Sequence, residues 1–492
     1  MTRGTAVREV ERKYELPPGC DVPALSEVPG VGSETGPERV TLDAVYYDTA
    51  DLRLLRHGVT LRCRRGGDDA GWHLKIPAGE DARTEIRLPS QDSVPRELAA
   101  MVRSYTRAEP LAPQARLHTD RTRRVLLDSG EIPLAEVVVD RVDATGPDGQ
   151  PHRWSEVEVE LAAGGPSLAD AVEARLRDAG ITRSASPAKV ARVLGVPRRM
   201  APELDRESTA GEVVLAYLRE QAAVLAACDV AVRRDEPDAV HRMRVAARRA
   251  RSTLRSYRTL LRNPPDALAG ELGWLGVQLG AARDVEVQWA RLVARLDEER
   301  EPADERVRAR LDRFFADRAE RARGVAIEAL DSDRYLRLLD ALDLVDTNAK
   351  AEHGAVKVIP KALAAVVSTV DTRVRAVDAA PPGADRDELV HRVRKAAKRL
   401  RYAAEAARPL NRSAAHAALA RFIGLQDLLG EYQDAVVARA QLRELAADSG
   451  DGFVFGVLYQ REREIADAQV ARLDHAWRQA KRALKPLLVH ES

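Results

Sequence analysis

Polar and apolar residues alternate along short segments within the first two hundred positions. In Glu9-Val10-Glu11-Arg12-Lys13, charged side chains stand at every second position. Residues two apart on a β-strand share a face, so Glu9, Glu11 and Lys13 would point the same way. For one strand alone, such a face usually meets water rather than a polar cavity. Further segments show the same alternation: residues 60–64, 72–76, 83–87 and 156–161.

These short segments, separated by turn-forming residues, predict an all-β sheet or barrel. Segment 156–161 places three glutamates on one face and apolar residues on the other. Several such faces turned inward would need a charged ligand, because unpaired buried charges are destabilising. Carboxylates suit Mg²⁺ or Mn²⁺, whereas arginine and lysine bind phosphate oxygens. The pattern therefore indicates an interior that receives a metal ion and a polyanion.

The order of these motifs resembles the CYTH domain of the triphosphate tunnel metalloenzymes. The hallmark Glu-x-Glu-x-Lys corresponds to Glu9, Glu11 and Lys13, and the closing Ser/Lys element to residues 186–189. Between them stand, in the same order, Tyr47-Asp48-Thr49, Leu61-Arg62-Cys63-Arg64, Leu74-Lys75, Arg83-x-Glu85 and the glutamates of 156–160. The resemblance implies an eight-stranded antiparallel β tunnel that binds triphosphate with a divalent metal and usually hydrolyses it.

The same resemblance implies roles for individual acids. Glu9 and Glu11 correspond to ligands of Mg²⁺ or Mn²⁺. Glu158 joins them together with either Glu156 or Glu160, and the choice between these two stays open.

Lys13 and Glu11 take the catalytic positions. The implied substrate contacts are Lys13, Arg62, Arg64, Lys75, Arg83, Glu85, Arg123 and Lys189. Arg121 and Arg124 are alternatives to Arg123, because the register of that basic segment is ambiguous. Asp140 fits an inward acid and a turn residue equally well.

Beyond residue 197 the strand-like alternation stops and apolar residues recur at helical spacing. Two prolines and clustered bases around this point indicate a linker. We therefore expect a tunnel domain over residues 1–197, a linker over 198–207 and an all-α domain over 208–492, which makes the fold class α+β.

The helical part contains an internal repeat. Segment 241–251 recurs as 391–401, and segment 279–284 recurs as 429–434, both at an offset of 150 residues. Two blocks in one register predict duplicated helical bundles, over about 208–345 and 355–492.

Each copy of the repeat carries a histidine and several bases on one helix face, because residues three and four apart stack. Neighbouring like charges repel, so their duplication indicates a polyanion partner. This half resembles the CHAD domain, which often follows a CYTH domain. The resemblance implies two pseudo-symmetric four-helix bundles around a basic groove that binds polyphosphate. The implied contacts are His241, Arg242, Arg244, Arg248, Arg251, His391, Arg392, Arg394, Lys395, Lys398 and Arg401.

Composition narrows the class of protein. With 78 basic and 77 acidic residues among 492, the net charge of +1 argues against a uniformly basic nucleic-acid binder. Three cysteines without metal-type spacing indicate a reducing compartment. The chain start lacks the apolar core of a signal peptide, and no apolar stretch reaches about twenty residues. We therefore expect a cytoplasmic protein, with association to polyphosphate granules as a further expectation, and no membrane or specific nucleic-acid partner.

Three functions compete on this basis. The first is metal-dependent hydrolysis of inorganic triphosphate or a related triphosphate, coupled to polyphosphate binding by the helical domain. The second is cyclisation of ATP, since some tunnel enzymes of this family are adenylate cyclases. The third is polyphosphate binding without catalysis, which the inward acids argue against, because carboxylates weaken the binding of an anion.

Overall fold

The structure, a computed structural model, describes residues 5–79, 81–186, 188–196, 202–263, 265–298, 305–447 and 452–489. The chain divides into two compact units, Met1–Met200 and Ala201–Ser492. Residues 198–201 of the predicted linker and Pro187 of the closing Ser/Lys element lie outside the described residues.

Ten β-strands are found in the described part of the N-terminal unit. They are β1 (Thr5–Leu16), β2 (Ser33–Glu34), β3 (Glu38–Asp48), β4 (Thr60–Arg65), β5 (Gly71–Pro77), β6 (Ala82–Leu88), β7 (Ala112–Leu127), β8 (Pro133–Thr145), β9 (Pro151–Leu161) and β10 (Thr182–Arg183). Eight of them run antiparallel in the order β1-β6-β5-β4-β3-β7-β8-β9, and β9 pairs again with β1. The sheet is thus closed, and the predicted eight-stranded antiparallel barrel is confirmed.

Five short helices accompany the barrel: α1 (Arg53–Arg56), α2 (Arg96–Met101), α3 (Arg103–Thr106), α4 (Pro166–Asp178) and α5 (Lys189–Leu194). Helix α4 covers the outer face of β1, β8 and β9. Its residues Leu168 and Val172 pack with Tyr14, Val137 and Val157 in one buried cluster. Because strand residues alternate between faces, this outer apolar layer turns the charged positions of the same strands inward.

Helix α5 closes one end of the barrel. Val190 packs against Tyr46, Val142 and Ala144, which stand on the inward side of β3 and β8. The burial of these apolar residues fixes the helix in place. As a result, the side chain of its first residue, Lys189, reaches the barrel interior.

The C-terminal unit is helical. Its α-helices are α6 (Ala210–Arg233), α7 (Ala239–Ser256), α8 (Asp266–Gln278), α9 (Gly280–Asp297), α10 (Glu305–Asp331), α11 (Asp333–Asp343), α12 (Ala355–Asp378), α13 (Ala384–Ala406), α14 (Arg412–Ala447) and α15 (Gly452–Leu488). Thr209 starts the first of them with a capping box, in which its hydroxyl accepts from the Glu212 N–H and the Glu212 carboxylate accepts from Thr209. No described helix combines the length and apolarity that a membrane crossing requires.

The predicted duplication into four-helix bundles is confirmed. Helices α6, α7, α8 with α9, and α10 correspond to α12, α13, α14 and α15. The two copies differ at one point. The helix of the first copy is interrupted at Leu279, between α8 and α9, whereas α14 of the second copy continues through Leu429. One buried cluster contains residues of both copies, including Ala247 of α7 and Ala397 of α13. The two basic helices therefore pack side by side.

Candidate active site and anion-binding groove

Strands β1 and β9 bring the predicted metal-binding carboxylates together. Their antiparallel register sets Glu11 opposite Glu160 and Lys13 opposite Glu158. Side chains at opposite positions on neighbouring strands share a face, so these four point into the barrel. Glu156 lies on the same face but nearer the end that α5 closes.

Strands β4, β5 and β6 form a wall of bases around the same interior. Lys75 on β5 pairs in register with Thr60 on β4 and with Glu85 on β6, which defines the inward positions of all three strands. The inward charged or titratable residues of this wall are Arg62, Arg64, His73, Lys75, Arg83, Glu85 and Arg87.

An acidic cluster of Asp140, Glu156 and Glu158 is buried towards the closed end. Carboxylate oxygens of the three lie within 4.8 Å of one another. The Nζ atom of Lys189 lies 2.7 to 2.9 Å from all three carboxylates. Arg121 of β7 donates to both oxygens of Asp140, at 2.8 and 2.7 Å. Burial raises the pKa of Asp140, but Lys189 and Arg121 outweigh it and hold the pKa below its usual value, so this cluster is already neutralised by the chain.

Glu9 and Glu11 lie against the basic wall. Lys75 Nζ is 2.5 Å from a Glu9 oxygen and 3.9 Å from Glu11. Arg83 Nε is 3.4 Å from Glu11, and an Arg87 nitrogen is 3.0 Å from Glu9. The acids and bases of the tunnel therefore form ion pairs with one another. A ligand that separates them would leave the acids able to bind a metal ion and the bases able to bind an anion.

Glu160 differs from the other acids. Among the described residues it has no hydrogen bond or ion pair to a base. Burial raises the pKa of Glu160 to about 7; the charges of Glu9, Glu11 and Glu136 act in the same direction, and Lys75 opposes them. Glu160 thus stands among other carboxylates, and carboxylate oxygens are the ligands that a hard divalent cation prefers. Of the two alternatives left open by the sequence, Glu160 is therefore the one beside Glu9 and Glu11.

Two arginines of the basic wall carry unused hydrogen-bond donors. The Nε atoms of Arg62 and Arg64 are buried and have no hydrogen-bond partner among the described residues. The Nη1 group of Arg62 donates a hydrogen bond to the Tyr46 hydroxyl at 3.2 Å, and the Arg64 guanidinium forms an ion pair with Asp69. Buried donors without acceptors are costly, so this position favours an anionic ligand that would accept from them.

The C-terminal unit holds a second concentration of charge. Helices α7 and α13 line a cavity of about 940 Å³, which also touches α8, α9, α12 and α14. The bases and histidines that line it are His241, Arg244, Arg248, Arg251, Arg255, Arg373, His391, Arg394, Lys395, Lys398 and Arg399. Its acids are Asp284 and Asp434. We call this cavity the basic groove.

The second repeated block explains how two arginines are positioned in the basic groove. Arg244 donates to the Gly280 carbonyl at 3.1 Å and to Asp284 at 3.0 Å. A Cβ atom on Gly280 would lie 3.5 Å from the Arg244 guanidinium, and one on Gly430 would lie 3.8 Å from Arg394. Each copy thus places an arginine over the backbone of the equivalent glycine.

The basic groove has more positive charge than its own acids balance. Burial, followed by repulsion from Arg248 and Arg394, lowers the pKa of Lys398 to about 6. Burial also lowers the pKa of both arginines. Within the described chain, Arg248 and Lys398 have no hydrogen bond or ion pair. This arrangement favours a ligand with several negative charges.

Comparison with protein families decides the classification. A model of the CYTH domain matches residues 7–194, and a model of the CHAD domain matches residues 216–443. The chain is a CYTH–CHAD protein. The order of the two domains is the one that the residue patterns predicted, with the tunnel first and the helices second. CYTH proteins are typically tunnel enzymes, either triphosphatases or cyclases, and generally depend on divalent metals.

Relatives of the whole CYTH–CHAD chain exist in Mycobacterium tuberculosis. An uncharacterized protein of strain H37Rv is 37% identical over 516 residues, which cover 97% of each chain. Among solved structures, PptA from Streptomyces chartreusis is 22% identical, covers 55% of this chain and 100% of its own, and has a TM-score of 0.47. The CHAD domain from Ricinus communis is 27% identical, covers 59% of this chain and 95% of its own, and has a TM-score of 0.42.

Most of the residues predicted for the CYTH site face the interior of the barrel. The exception is Arg123, which is 38% exposed and pairs with Glu136 at 2.8 Å, away from the closed end. Arg121, two residues earlier on the same face, reaches Asp140 instead. Arg124 stands on the opposite face of β7. Asp140 is fully buried inside the barrel, so it is an inward acid and not a turn residue.

Three of the residues predicted to bind polyphosphate lie outside the lining of the basic groove. Arg242 donates to the Pro237 carbonyl at 3.1 Å, and Arg392 pairs with Glu388 at 3.3 Å. Each follows a groove histidine by one residue, and a helix turns about 100° per residue, so each side chain points elsewhere.

Arg401 is the third residue outside the groove lining. Its guanidinium donates to Glu405 at 3.1 Å and to Gln426 at 2.5 Å, which holds it in a polar network. Conversely, the sequence prediction missed Arg255, Arg373 and Arg399 as lining residues. Arg373 belongs to α12, where no repeated motif marks it.

Proposed function

We propose that the CYTH domain hydrolyses a triphosphate with Mg²⁺ or Mn²⁺ held by Glu9, Glu11, Glu158 and Glu160. The observation that carries this proposal is the group of inward carboxylates around Glu160, which itself has no ion pair among the described residues and faces the basic wall of β4, β5 and β6. A divalent ion bound there would neutralise phosphate oxygens and polarise the scissile bond. Phosphoryl transfer requires this combination of charge neutralisation and positioning.

The chain's own bases hold the substrate in this proposal. Arg62 and Arg64 turn their unused Nε donors to phosphate oxygens, and Lys75 exchanges its contact with Glu9 for one with phosphate. Lys13, which contacts Glu158 and lies 3.6 Å from Glu11, stabilises the charge that develops on the leaving phosphate. Glu11 orients the attacking water as well as binding the metal.

A product assay on the purified full chain tests this function. With inorganic triphosphate or ATP and added Mg²⁺ or Mn²⁺, we expect release of inorganic phosphate and no cyclic nucleotide. Excess chelator should abolish the release. Cyclic AMP as the main product would support the cyclase alternative, and tight binding without any product would support a receptor. Turnover that is unchanged in chelator would contradict the proposed metal dependence.

Substitution of the tunnel bases should act mainly on substrate binding. We expect Arg62→Ala to raise the half-saturating triphosphate concentration about tenfold for each ~1.4 kcal/mol of lost phosphate contact. Steady-state kinetics at several metal concentrations would measure this, with Glu158→Gln as the comparison, because that change should alter metal dependence and turnover. Equal kinetic patterns in the two variants would show that the assigned roles are wrong.

We further propose that the CHAD domain binds polyphosphate in the basic groove. Support comes from Arg248, Arg394 and Lys398, three bases that share one cavity and whose mutual repulsion a chain of phosphates would relieve. The groove runs between two copies of the repeat, so it offers more contacts than a triphosphate fills. Binding should therefore favour longer chains and weaken steeply with salt.

Polyphosphate binding should strengthen as the pH falls from about 8 to about 6. The amine of Lys398, with a pKa of about 6, is mostly neutral at pH 8 and gains its charge as the pH falls through about 6. Because the bound anion favours charged forms, binding near pH 7.5 should take up protons. Calorimetry in buffers of different ionisation enthalpy measures that uptake. Affinity that is constant over this range, without uptake, would contradict the assignment.

A further inference from the structure

Lys398 is an amine in an unusual position. It belongs to α13 and lines the basic groove, yet no hydrogen bond or ion pair to it is found in the described part of the chain. Lys395, one turn earlier on the same helix, lines the same groove but is exposed. The two lysines therefore share a helix, a cavity and a local sequence, and differ in burial.

The groups around Lys398 come from four helices. Arg244 and Arg248 face it from α7, and Arg394 faces it from α13 itself. Asp434 of α14 and Asp284 of α9 are the acids of the same cavity. Burial, Arg248 and Arg394 lower the pKa of Lys398 to about 6, with Asp434 opposing the shift. Close to neutral pH most copies of the free protein thus carry an uncharged, nucleophilic amine.

We infer that Lys398 is an acylation site for small acyl phosphates such as acetyl phosphate. Such a reagent combines a phosphate group, which Arg248 and Arg394 are placed to bind, with an electrophilic carbonyl carbon one bond away. Docking of the phosphate on the arginines holds the carbonyl near the Lys398 amine. Proximity of this kind accelerates a reaction that is slow in bulk solution. No residue outside the basic groove is required.

The reaction balances without a further reactant. The lone pair of Lys398 Nζ attacks the carbonyl carbon, and the new N–C bond becomes the amide. The bond between that carbon and the phosphate oxygen breaks, and inorganic phosphate leaves with the electron pair. The proton lost from nitrogen passes to the departing phosphate or to water. The product is a neutral acyl-lysine, so the basic groove loses a group that could be charged when a polyanion binds.

This inference goes beyond the proposed function, because it describes a covalent control on the groove. An acyl group on Lys398 would prevent the amine from gaining a positive charge when a polyanion binds, and it would add volume where the two repeats meet. Binding of a polyanion in the basic groove would then depend on the concentration of acyl phosphates, because acylated copies of the protein bind it less well. The reaction does not depend on polyphosphate being the natural ligand, so its failure and that of polyphosphate binding are distinguishable.

Mass spectrometry of the full chain treated with acetyl phosphate tests the inference. Near pH 7.5 we expect Lys398 to be acetylated at least about tenfold faster than Lys395, because an amine of low pKa is mostly neutral there although its intrinsic nucleophilicity is reduced. Pyrophosphate, which competes for the arginines, should slow the labelling of Lys398. Equal labelling of the two lysines, or no protection by pyrophosphate, would overturn it.

Two variants separate phosphate docking from amine reactivity. Arg248→Gln should slow acetylation of Lys398 by acetyl phosphate more than acetylation by acetic anhydride, which has no phosphate to dock. An equal effect on both reagents would mean that the arginine acts only on the amine, and the inferred site would be wrong. Lys398→Arg should lose the label, because a guanidinium is not acylated under these conditions. Circular dichroism checks that each variant is folded, and protection of the wild-type chain by pyrophosphate gives an independent readout.

Discussion

Glu11→Gln should reduce triphosphate hydrolysis by about a thousandfold, which corresponds to about 4 kcal/mol in the activation barrier. Glu11 stands opposite Glu160 and lies within 4 Å of Lys13, Lys75 and Arg83. Its charge therefore acts both on the neighbouring carboxylates and on the bases that would bind phosphate. The amide keeps the size of the side chain but removes the charge that a hard cation needs. Phosphate release at saturating substrate, measured over a range of Mn²⁺ concentrations, gives the effect.

Glu15→Gln is the matched control for this prediction. Glu15 is a glutamate on the same strand and the same face as Glu11, but it accepts from Ser184 and from Arg192 at 2.5 Å instead of joining the carboxylates beside Glu160. Its substitution should leave turnover and metal dependence nearly unchanged. If both variants lose activity equally, the effect would come from the strand and not from the metal-binding carboxylate. If neither loses activity, the proposed site is wrong.

The second large effect is expected in the basic groove. Reversing two charges with Arg394→Glu and Lys398→Glu should weaken polyphosphate binding at least about a hundredfold at low salt, because attraction is replaced by repulsion. Arg394 and Lys398 lie on the surface of a cavity, so the helical fold should persist. Titration of a labelled polyphosphate at several salt concentrations measures the affinity and its salt slope.

Arg392→Glu provides the comparison for the groove variants. This residue lies on the same helix and is exposed, but it pairs with Glu388 and does not line the basic groove. It should reduce affinity only slightly, through the overall charge of the protein. A loss as large as that of the double variant would show that binding follows net charge and not the groove.

The tunnel shows which features of a barrel can be predicted from local alternation. The inward positions of Glu9, Glu11, Lys75 and Glu158 follow from a period of two, which each strand displays by itself. The partner of Glu11 cannot be predicted in this way, because Glu160 lies 149 residues further along the chain and the register of β1 with β9 depends on the closure of the sheet. The sequence alone therefore could not say which of Glu156 and Glu160 lies opposite Glu11.

The position of each inward residue along the tunnel axis could not be predicted from the sequence either. Arg121 and Arg123 have the same inward parity on β7, and no local feature says which lies closer to the closed end. Depth depends on where α5 packs, and that follows from tertiary contacts of Tyr46 and Val142. The sequence thus predicted which face of its strand each residue occupies, but not how far the residue lies from the closed end of the tunnel.

In the helical half the internal repeat was informative because it marked equivalent positions twice. It identified Arg244, Arg248, Arg394 and Lys398, which all line the basic groove. It could not identify Arg373, since that base has no counterpart in the repeated motif and reaches the groove only through the packing of α12 against α13.

The closure of the barrel also sets the earliest moment at which the tunnel site can form during synthesis. Strand β1 emerges first from the ribosome, but it must pair with β9, and the acidic cluster is completed only by Lys189. A nascent chain that ends before Lys189 therefore carries Asp140, Glu156 and Glu158 without the amine that contacts all three. Pairing of such distant segments is slow compared with helix formation. The interior of the tunnel is thus completed by the last residues of the CYTH domain.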